Sequence, residues 1–279
     1  MPDLANYIDA HVHVWTYDFV RYPFAQGITP AHMKPAAFTP DDFWSFAWPS
    51  GVTQVVFVQM DCYGTNNSYM VAVLQSFYRY RGIALVDPLG AAPDAQMREL
   101  ARWRVRGFRI YPPEHPSADW LSGEGFAKMF RCGAEENLAM CLLVNPQDLG
   151  GVARECERFP ETPVVIDHMA RIGRDGPILE SDVDALCALA RYPRVKVKVS
   201  AFYALGEKTP PHLDLAPMIK RLVEAFGPER LMWASDCPFQ TANETYEDSI
   251  SLVRDHLHFL SPSDKEWMLR RCAEGTFFR

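Results

Sequence analysis

Tyr7-Ile8-Asp9-Ala10-His11-Val12-His13-Val14-Trp15 sets two histidines one residue apart in an otherwise apolar run. Side chains of a β-strand alternate between two faces. As a strand, the segment puts Asp9, His11 and His13 on one face and Ile8, Ala10, Val12 and Val14, an apolar row, on the other. Two convergent imidazoles at a strand end suit metal ligation or proton handling. The same spacing on a solvated face would carry no chemistry, so its meaning depends on what the chain brings beside it.

Beyond this strand a Pro- and aromatic-rich loop, residues 16–37, holds Arg21, Tyr22 and Pro23, and loops of that length in compact folds are usually functional. Thr39-Pro40-Asp41-Asp42 then opens a helix, with an N-cap, a first-turn proline and acids in the first turn. Apolar strand-like runs follow at 54–61, 82–88, 105–111, 138–145, 164–168, 195–202 and 231–236. Helical patterns follow them at 68–81, 93–104, 125–136, 147–158, 181–191, 213–226 and 244–259, and Ser261-Pro262-Ser263-Asp264 starts a last helix over 262–274. Eight strands, each followed by a helix and none by hairpin turn chemistry, specify a parallel sheet with helical crossovers. The expected fold class is α/β, a single (β/α)8 TIM barrel over residues 1–279. A doubly wound open sheet is the alternative, but no Gly-x-Gly-x-x-Gly follows the first strand.

Composition narrows the partners. With 48% hydrophobic and 23% charged residues the chain can bury a large core, and a net charge of −7 with no Lys/Arg-rich run argues against nucleic acid and anionic membranes. The apolar runs at 55–58 and 138–144 fall far short of the roughly 20 residues that span a bilayer. Asp3 and the immediate entry into the first strand leave no room for a secretory leader, so the expected location is cytoplasmic. Seven cysteines, scattered and without a Cys-x-x-Cys spacing, fit reduced thiols, with Cys237 the one nearest a candidate site.

Barrels of this kind carry functional groups at the C-terminal ends of their strands. The polar residues expected there are His11, His13, Gln59, Asp61, Asp87, Arg109, Tyr111, Asn145, His168, Ser200 and Asp236. Asp61, Asp87 and Asn145 read equally well as solvated strand ends. His168 and Asp236 differ, because each ends an apolar run and precedes a segment, Met169-Ala170-Arg171 or Cys237-Pro238-Phe239, that is too apolar for an ordinary exposed turn.

Ile8-Asp9-Ala10-His11-Val12-His13-Val14-Trp15, Tyr22-Pro23, Val58-Gln59, Gly107-Phe108-Arg109, Val165-Ile166-Asp167-His168-Met169, Val197-Lys198-Val199-Ser200 and Trp233-Ala234-Ser235-Asp236-Cys237-Pro238 together resemble the motifs of the amidohydrolase superfamily. More narrowly the set is similar to its lactonase branch, the fuconolactonase-like, sulfomuconolactonase-like and pyrone-dicarboxylate lactonase-like enzymes. The resemblance covers nearly the whole chain in order and implies a hydrolase that opens a small lactone, from a sugar or an aromatic catabolite. Metal-rich members carry a bridging Lys or Glu on the fourth strand and a His on the fifth, where this chain has Arg109 and Val144-Asn145. That departure argues against a binuclear centre. It leaves open two cases, a metal-free site or one divalent ion, zinc foremost, on His11, His13 and Asp236, with His168 beside them.

Lactone hydrolysis needs an activated water and a stabilised oxyanion. Asp236 is the expected base, with His11, His13, His168 and Arg109 polarising the carbonyl or, for Arg109, binding a substrate carboxylate. Arg109 as a structural ion pair is the alternative. Tyr22, Gln59, Tyr111 and Tyr203 are candidate substrate contacts, the tyrosines equally readable as aromatic packing. A metal-dependent decarboxylase or hydratase on the same barrel is the first rival, and a catalytically silent small-molecule binder the second. Lys198, two residues before Ser200, is expected to point inward and pair with Asp9, since strands one and seven share parity; otherwise it points outward to solvent.

Overall fold

The computed structural model describes residues 6–279 except 115 and 118, so Asp3 lies outside the described residues. Eight strands run in the order β1-β2-β3-β4-β5-β6-β7-β8, each pair parallel. They are β1 (Tyr7–Val12), β2 (Val52–Val58), β3 (Tyr80–Ala84), β4 (Val105–Ile110), β5 (Ala139–Leu142), β6 (Val164–Ile166), β7 (Val195–Ser200) and β8 (Leu231–Ala234). The barrel closes just past β8, where Val12 bridges Cys237 in parallel, His13 N–H donates to the Cys237 carbonyl at 2.8 Å and Asp236 N–H to the His11 carbonyl at 3.0 Å. The expected (β/α)8 barrel is the fold observed. No helix among the described residues is long and apolar enough to cross a membrane.

Helices α1 (Pro40–Ala47), α2 (Ser68–Ser76), α3 (Pro93–Ala101), α4 (Glu124–Glu136), α5 (Leu149–Arg158), α6 (Glu180–Ala188) and α7 (Ala216–Phe226) cover the outside. Helix α8 (Tyr246–Ser251) runs on as a π turn to His256, and α9 (Pro262–Glu266) joins α10 (Cys272–Phe277) through another π turn. Both proline-opened starts form capping boxes, Asp42 accepting the Thr39 N–H and Asp264 the Ser261 N–H, each at 2.8 Å. The third strand departs from expectation, lying at Tyr80–Ala84 instead of 82–88. Helix α2 stops at Ser76, and the Asn67 side chain takes the Leu85 N–H and donates to the Leu85 carbonyl, which ends the ladder there.

Two apolar layers separate cleanly. Ile8, Ala10, Val56, Val58, Ile83, Ala139, Cys141, Val165, Met232 and Ala234 fill the barrel interior, plugged by Cys272, Ala273 and Phe277 of α10. Val12, Phe57, Phe108, Val197, Val199 and Trp233 face the helices instead. Glycine is required at Gly107, where an added Cβ would lie 2.9 Å from the Ala139 carbonyl oxygen.

Strand β1 corrects the face assignment made from simple alternation. Its pairing with β2 slips between Asp9 and Val12, so three residue steps on β1 match two on β2, from Val55 to Phe57. This bulge inserts one residue and breaks the period of two. Ile8 and Ala10 pack inside the barrel, Val12 packs outside, and Asp9 does not share the histidine face. The Asp9 carboxylate turns toward α8, accepting the Tyr246 hydroxyl at 2.7 Å, the Ser235 N–H at 3.0 Å, the Ser235 hydroxyl, and the His11 N–H at 3.2 Å.

Lys198 is buried inside the barrel, yet its partner is not Asp9. Its ammonium lies 2.9 Å from Asp167 Oδ1 and 3.1 Å from His11 Nδ1. Asp167 directly follows β6, the neighbour of β7, whereas the bulge has carried Asp9 to the outer layer. Breaking a buried pair strands the surviving charge. Lys198→Met should therefore cost about 3–5 kcal/mol of unfolding free energy. Adding Asp167→Asn should recover part of that loss, while Asp9→Asn should add an independent one. Urea unfolding of the single and double variants checks this, and a coupling for the 9/198 pair as large as for 167/198 would sink it.

Candidate active site

His11, His13, His168 and Asp236 meet at the C-terminal mouth of the barrel, all buried. Asp236 Oδ1 stands 3.4 Å from His13 Nε2, 3.5 Å from His11 Nε2 and 3.9 Å from His168 Nε2. That oxygen has no hydrogen-bond partner among the described residues, while Oδ2 accepts the Tyr203 hydroxyl at 2.8 Å. Asp236 adopts φ 65°, a left-handed conformation beyond the end of β8 that turns its side chain back over the barrel.

His168 is placed by a rarer device. His168, Met169, Ala170 and Arg171 have φ of 52°, 49°, 53° and 56°, four consecutive non-glycine residues in the left-handed region. Each costs roughly 1–2 kcal/mol relative to right-handed geometry. Complete burial of Met169 and Ala170, with a 2.8 Å hydrogen bond between His168 Nδ1 and Ser200 Oγ, offsets that cost.

Donor and acceptor roles run in one direction. The Lys198 ammonium donates to His11 Nδ1, so His11 carries its proton on Nε2 and donates to His13 Nε2 at 3.1 Å; His13 Nδ1 donates to the Val58 carbonyl at 3.0 Å. Burial, with Lys198 beside it, lowers the His11 pKa well below the usual histidine value, and burial likewise lowers His168. Burial alone would raise Asp236, but the facing imidazoles of His168, His13 and His11 outweigh it and hold the carboxyl far below the usual range. Asp9, in contrast, is pushed up to about 6 by burial, which its donors Ser235, Tyr246 and His11 only partly offset.

A cavity of about 310 Å³ opens above this centre, walled by His13, Arg109, His168, Arg171, Tyr203 and Asp236. A more apolar cavity of about 410 Å³ lies on the other side of Arg109, lined by Leu85, Val86, Tyr111, Trp120, Phe126 and Met129. Arg109 makes no ion pair among the described residues, and its Nε and Nη1 are buried without partners. Tyr111 thus lines the second cavity and Tyr203 the first. Tyr22 stands away from both, its ring 5.1 Å from Tyr69, and Gln59 spends its amide on the carbonyls of Gly64 and Asn66. Asp61 and Asp87 are exposed. The Cys237 thiol is buried, which raises its pKa and leaves it protonated.

Sequence reasoning did not single out Asp167, Arg171, or the buried pair of His212 and Glu244, 2.8 Å apart, which ties the loop after β7 to the one after β8. Arg171 had one signal, its position three residues after His168, legible only to a reader who knew that the turn between them is left-handed.

His11 Nε2, His13 Nε2 and Asp236 Oδ1 are separated by 3.1, 3.5 and 3.4 Å. A point equidistant from three such atoms in their plane lies about 1.9 Å from each, against roughly 2.0–2.2 Å for zinc to nitrogen and oxygen. The trio therefore fits one divalent ion, which these three residues would hold. Seating it requires His11 to carry its proton on Nδ1, toward Asp167 Oδ1 at 3.7 Å.

A closed parallel barrel with a carboxylate among imidazoles at its strand ends has the architecture of a (β/α)8 enzyme, with its site at the C-terminal face. The Amidohydrolase family matches residues 8–279, and the chain is a member of that family. It is 27% identical over 236 residues to an L-fucono-1,5-lactonase of Burkholderia ambifaria, covering 83% of this chain and 80% of that one. It is 26% identical over 233 residues to a 4-sulfomuconolactone hydrolase of Rhizobium radiobacter, covering 82% and 75%. A zinc-bound amidohydrolase from Burkholderia multivorans shares the fold with a TM-score of 0.82 at 20% identity, covering 98% of this chain and 99% of that one.

The ligand geometry separates the histidines. His13→Ala should weaken zinc binding by more than the roughly 10–100-fold that loss of an outer-shell partner costs. His168→Ala should leave it within about threefold, because His168 stands outside the trio. Competition with a chromogenic chelator measures both, and equal losses would place His168 among the ligands.

Proposed function

We propose that this chain opens a small lactone, with water as second substrate and Asp236 as the base. One observation carries the reading: Asp236 Oδ1 is a buried carboxylate oxygen without a hydrogen-bond partner among the described residues, facing three imidazole Nε2 atoms at the floor of a substrate-sized cavity. The lactonase and lactone hydrolase relatives support the ester class.

Tyr203 holds Oδ2, which aims Oδ1 at the cavity. Water bound there forms a bond from its oxygen to the lactone carbonyl carbon as its proton passes to Oδ1. The carbonyl π pair moves onto its oxygen, which Arg109 and His168 are placed to stabilise. When that pair returns, the ring C–O bond breaks and the departing alkoxide takes the proton back from Asp236. Water has then added across one ester bond, giving a single hydroxy acid with no redox change. Asp236 remains ionised throughout the working range and takes a proton only as C–O bond formation acidifies the water. A divalent ion held by His11, His13 and Asp236 Oδ1, zinc by the donor set and by the zinc-bound structural relative, would occupy that oxygen and supply Lewis-acid polarisation and a more acidic water in place of the free carboxylate base.

Asp236→Asn should lower kcat by roughly a thousandfold or more with the fold intact, since an amide of the same size cannot take the proton. Lactone turnover with a pH indicator reads this, and near-wild-type turnover would remove Asp236 from the mechanism. Arg109, with unpaired buried nitrogens, is positioned for an anionic substrate group. Arg109→Met should therefore impair a carboxylated lactone at least about tenfold more than a neutral one. Equal losses would assign Arg109 to the carbonyl.

A further inference from the structure

We infer that the N-terminal end of the barrel, opposite the candidate active site, binds a small phosphate-type oxyanion between Lys196, Arg194 and Arg279. This second site does not depend on the lactone reading.

Strand β7 turns two lysines into the barrel and neutralises one of them. Val195, Val197 and Val199 pack toward the helices, and β7 pairs with β6 and β8 without a register slip, so Lys196 and Lys198 both face inward. Lys198 has Asp167 at 2.9 Å. Lys196, one layer lower, has no carboxylate partner among the described residues. Its ammonium donates to the Thr276 hydroxyl of α10 at 2.6 Å, and that hydroxyl in turn donates to the Cys272 carbonyl at 2.6 Å. An ammonium has three donors, so the remainder are free for a ligand.

That ammonium opens onto a cavity of about 230 Å³ at the strand starts, walled also by Asn137, Arg194, Gly275, Thr276 and Arg279. No Asp or Glu lines it, although the chain carries a net charge of −7. Arg194 gives Nε to the Glu161 carbonyl at 3.2 Å and Nη2 to the Asn137 amide oxygen at 2.8 Å, which holds the guanidinium in place without neutralising it. Arg279 makes no ion pair among the described residues, and its Nη2 lies over Gly275, 3.9 Å from where a Cβ would stand. Burial, with Arg279 and Arg194 beside it, lowers the Lys196 pKa, so the cations act on one another. Like charges gathered at one cavity repel, and a lysine that needed only water could extend away from both arginines. An oxyanion among them offsets the repulsion and takes charge-assisted hydrogen bonds from three directions. Three cations favour a doubly charged ligand over a single carboxylate, and the cavity is several times the roughly 30 Å³ share of one water. A phosphate there would tie β7 to α10, the plug of the barrel, at the face opposite the histidines.

Calorimetry with inorganic phosphate, in potassium chloride of about 0.15 M to screen loose surface attraction, tests this without any turnover. Wild-type protein should bind phosphate, and Lys196→Met and Arg279→Gln should each weaken it at least about tenfold, the value of one charged hydrogen-bonding contact. Arg109→Met, at the other end of the barrel, should leave the affinity unchanged. The Arg279 side chain is exposed, so its variant carries the test if Lys196→Met does not fold. Glycerol 3-phosphate separates two sources of the same chemistry: comparable affinity assigns the site to phosphate esters and loss of binding assigns it to the free ion, and either result sustains the site. Wild-type protein that binds no phosphate, or binding that survives both the Lys196 and Arg279 variants, would overturn the inference. Phosphate binding that Arg109→Met removes and the other two variants keep would move the anion to the opposite face and overturn it equally.

Discussion

A lysine ammonium and an aspartate carboxylate, 2.9 Å apart and wholly shut off from water, lie inside the barrel directly beneath the histidines. Neither charge could stay there alone, since desolvating an unpaired ion costs several kcal/mol. Together they set a local polarity on which the site depends. With no ion on the trio, Lys198 fixes the proton on His11 by donating to Nδ1, and His11 passes that direction on to His13 and so to the backbone of β2. Burial would raise the Asp167 pKa, but Lys198, with His11, outweighs it and keeps the carboxyl well below its usual value. The pair thus acts as a fixed dipole under the imidazoles, and the orientation of the whole histidine row follows from it.

The barrel was legible because its signal is repetitive: eight apolar runs, each followed by a helical pattern, leave little choice of topology. The convergence of His11, His13, His168 and Asp236 was legible for the same reason, since strand ends in such a barrel meet at one face. What escaped was backbone geometry that no residue type announces. The bulge in β1 moved Asp9 to the outer layer and made Asp167 the partner of Lys198. The left-handed turn after β6 uses His, Met, Ala and Arg, none of them glycine, so composition gives no hint of it. Gln59 and Tyr22 were natural candidates by type and position, and only the contacts they make show that the loop and the aromatic cluster hold them.

Arg109 divides the mouth of the barrel into unlike halves. On one side stand the imidazoles, Asp236 and Tyr203; on the other, Leu85, Trp120, Phe126 and Met129 form an apolar hollow. A side chain whose charged end is buried between such surfaces has a long aliphatic stem to offer one and a planar cation to offer the other. The glycine at position 107 lets β4 lie close against β5 two residues earlier, which fixes where that guanidinium emerges. Close packing of the barrel wall and placement of charge at its mouth are therefore one constraint.

Asp9, displaced by the bulge, gathers donors from three elements: the His11 amide of β1, the amide and hydroxyl of Ser235 beyond β8, and the Tyr246 hydroxyl of α8. The two backbone protons it holds belong to the strands that close the barrel, and the side chain that caps it belongs to a surface helix. Solvent can reach those protons only when α8 lifts and the carboxylate is freed. The amides of His11 and Ser235, 224 positions apart in the chain, should then exchange with solvent hydrogen as one cooperative unit whose opening is governed by the docking of α8. The seam of the barrel is in this sense locked from outside, by a helix that touches no catalytic atom.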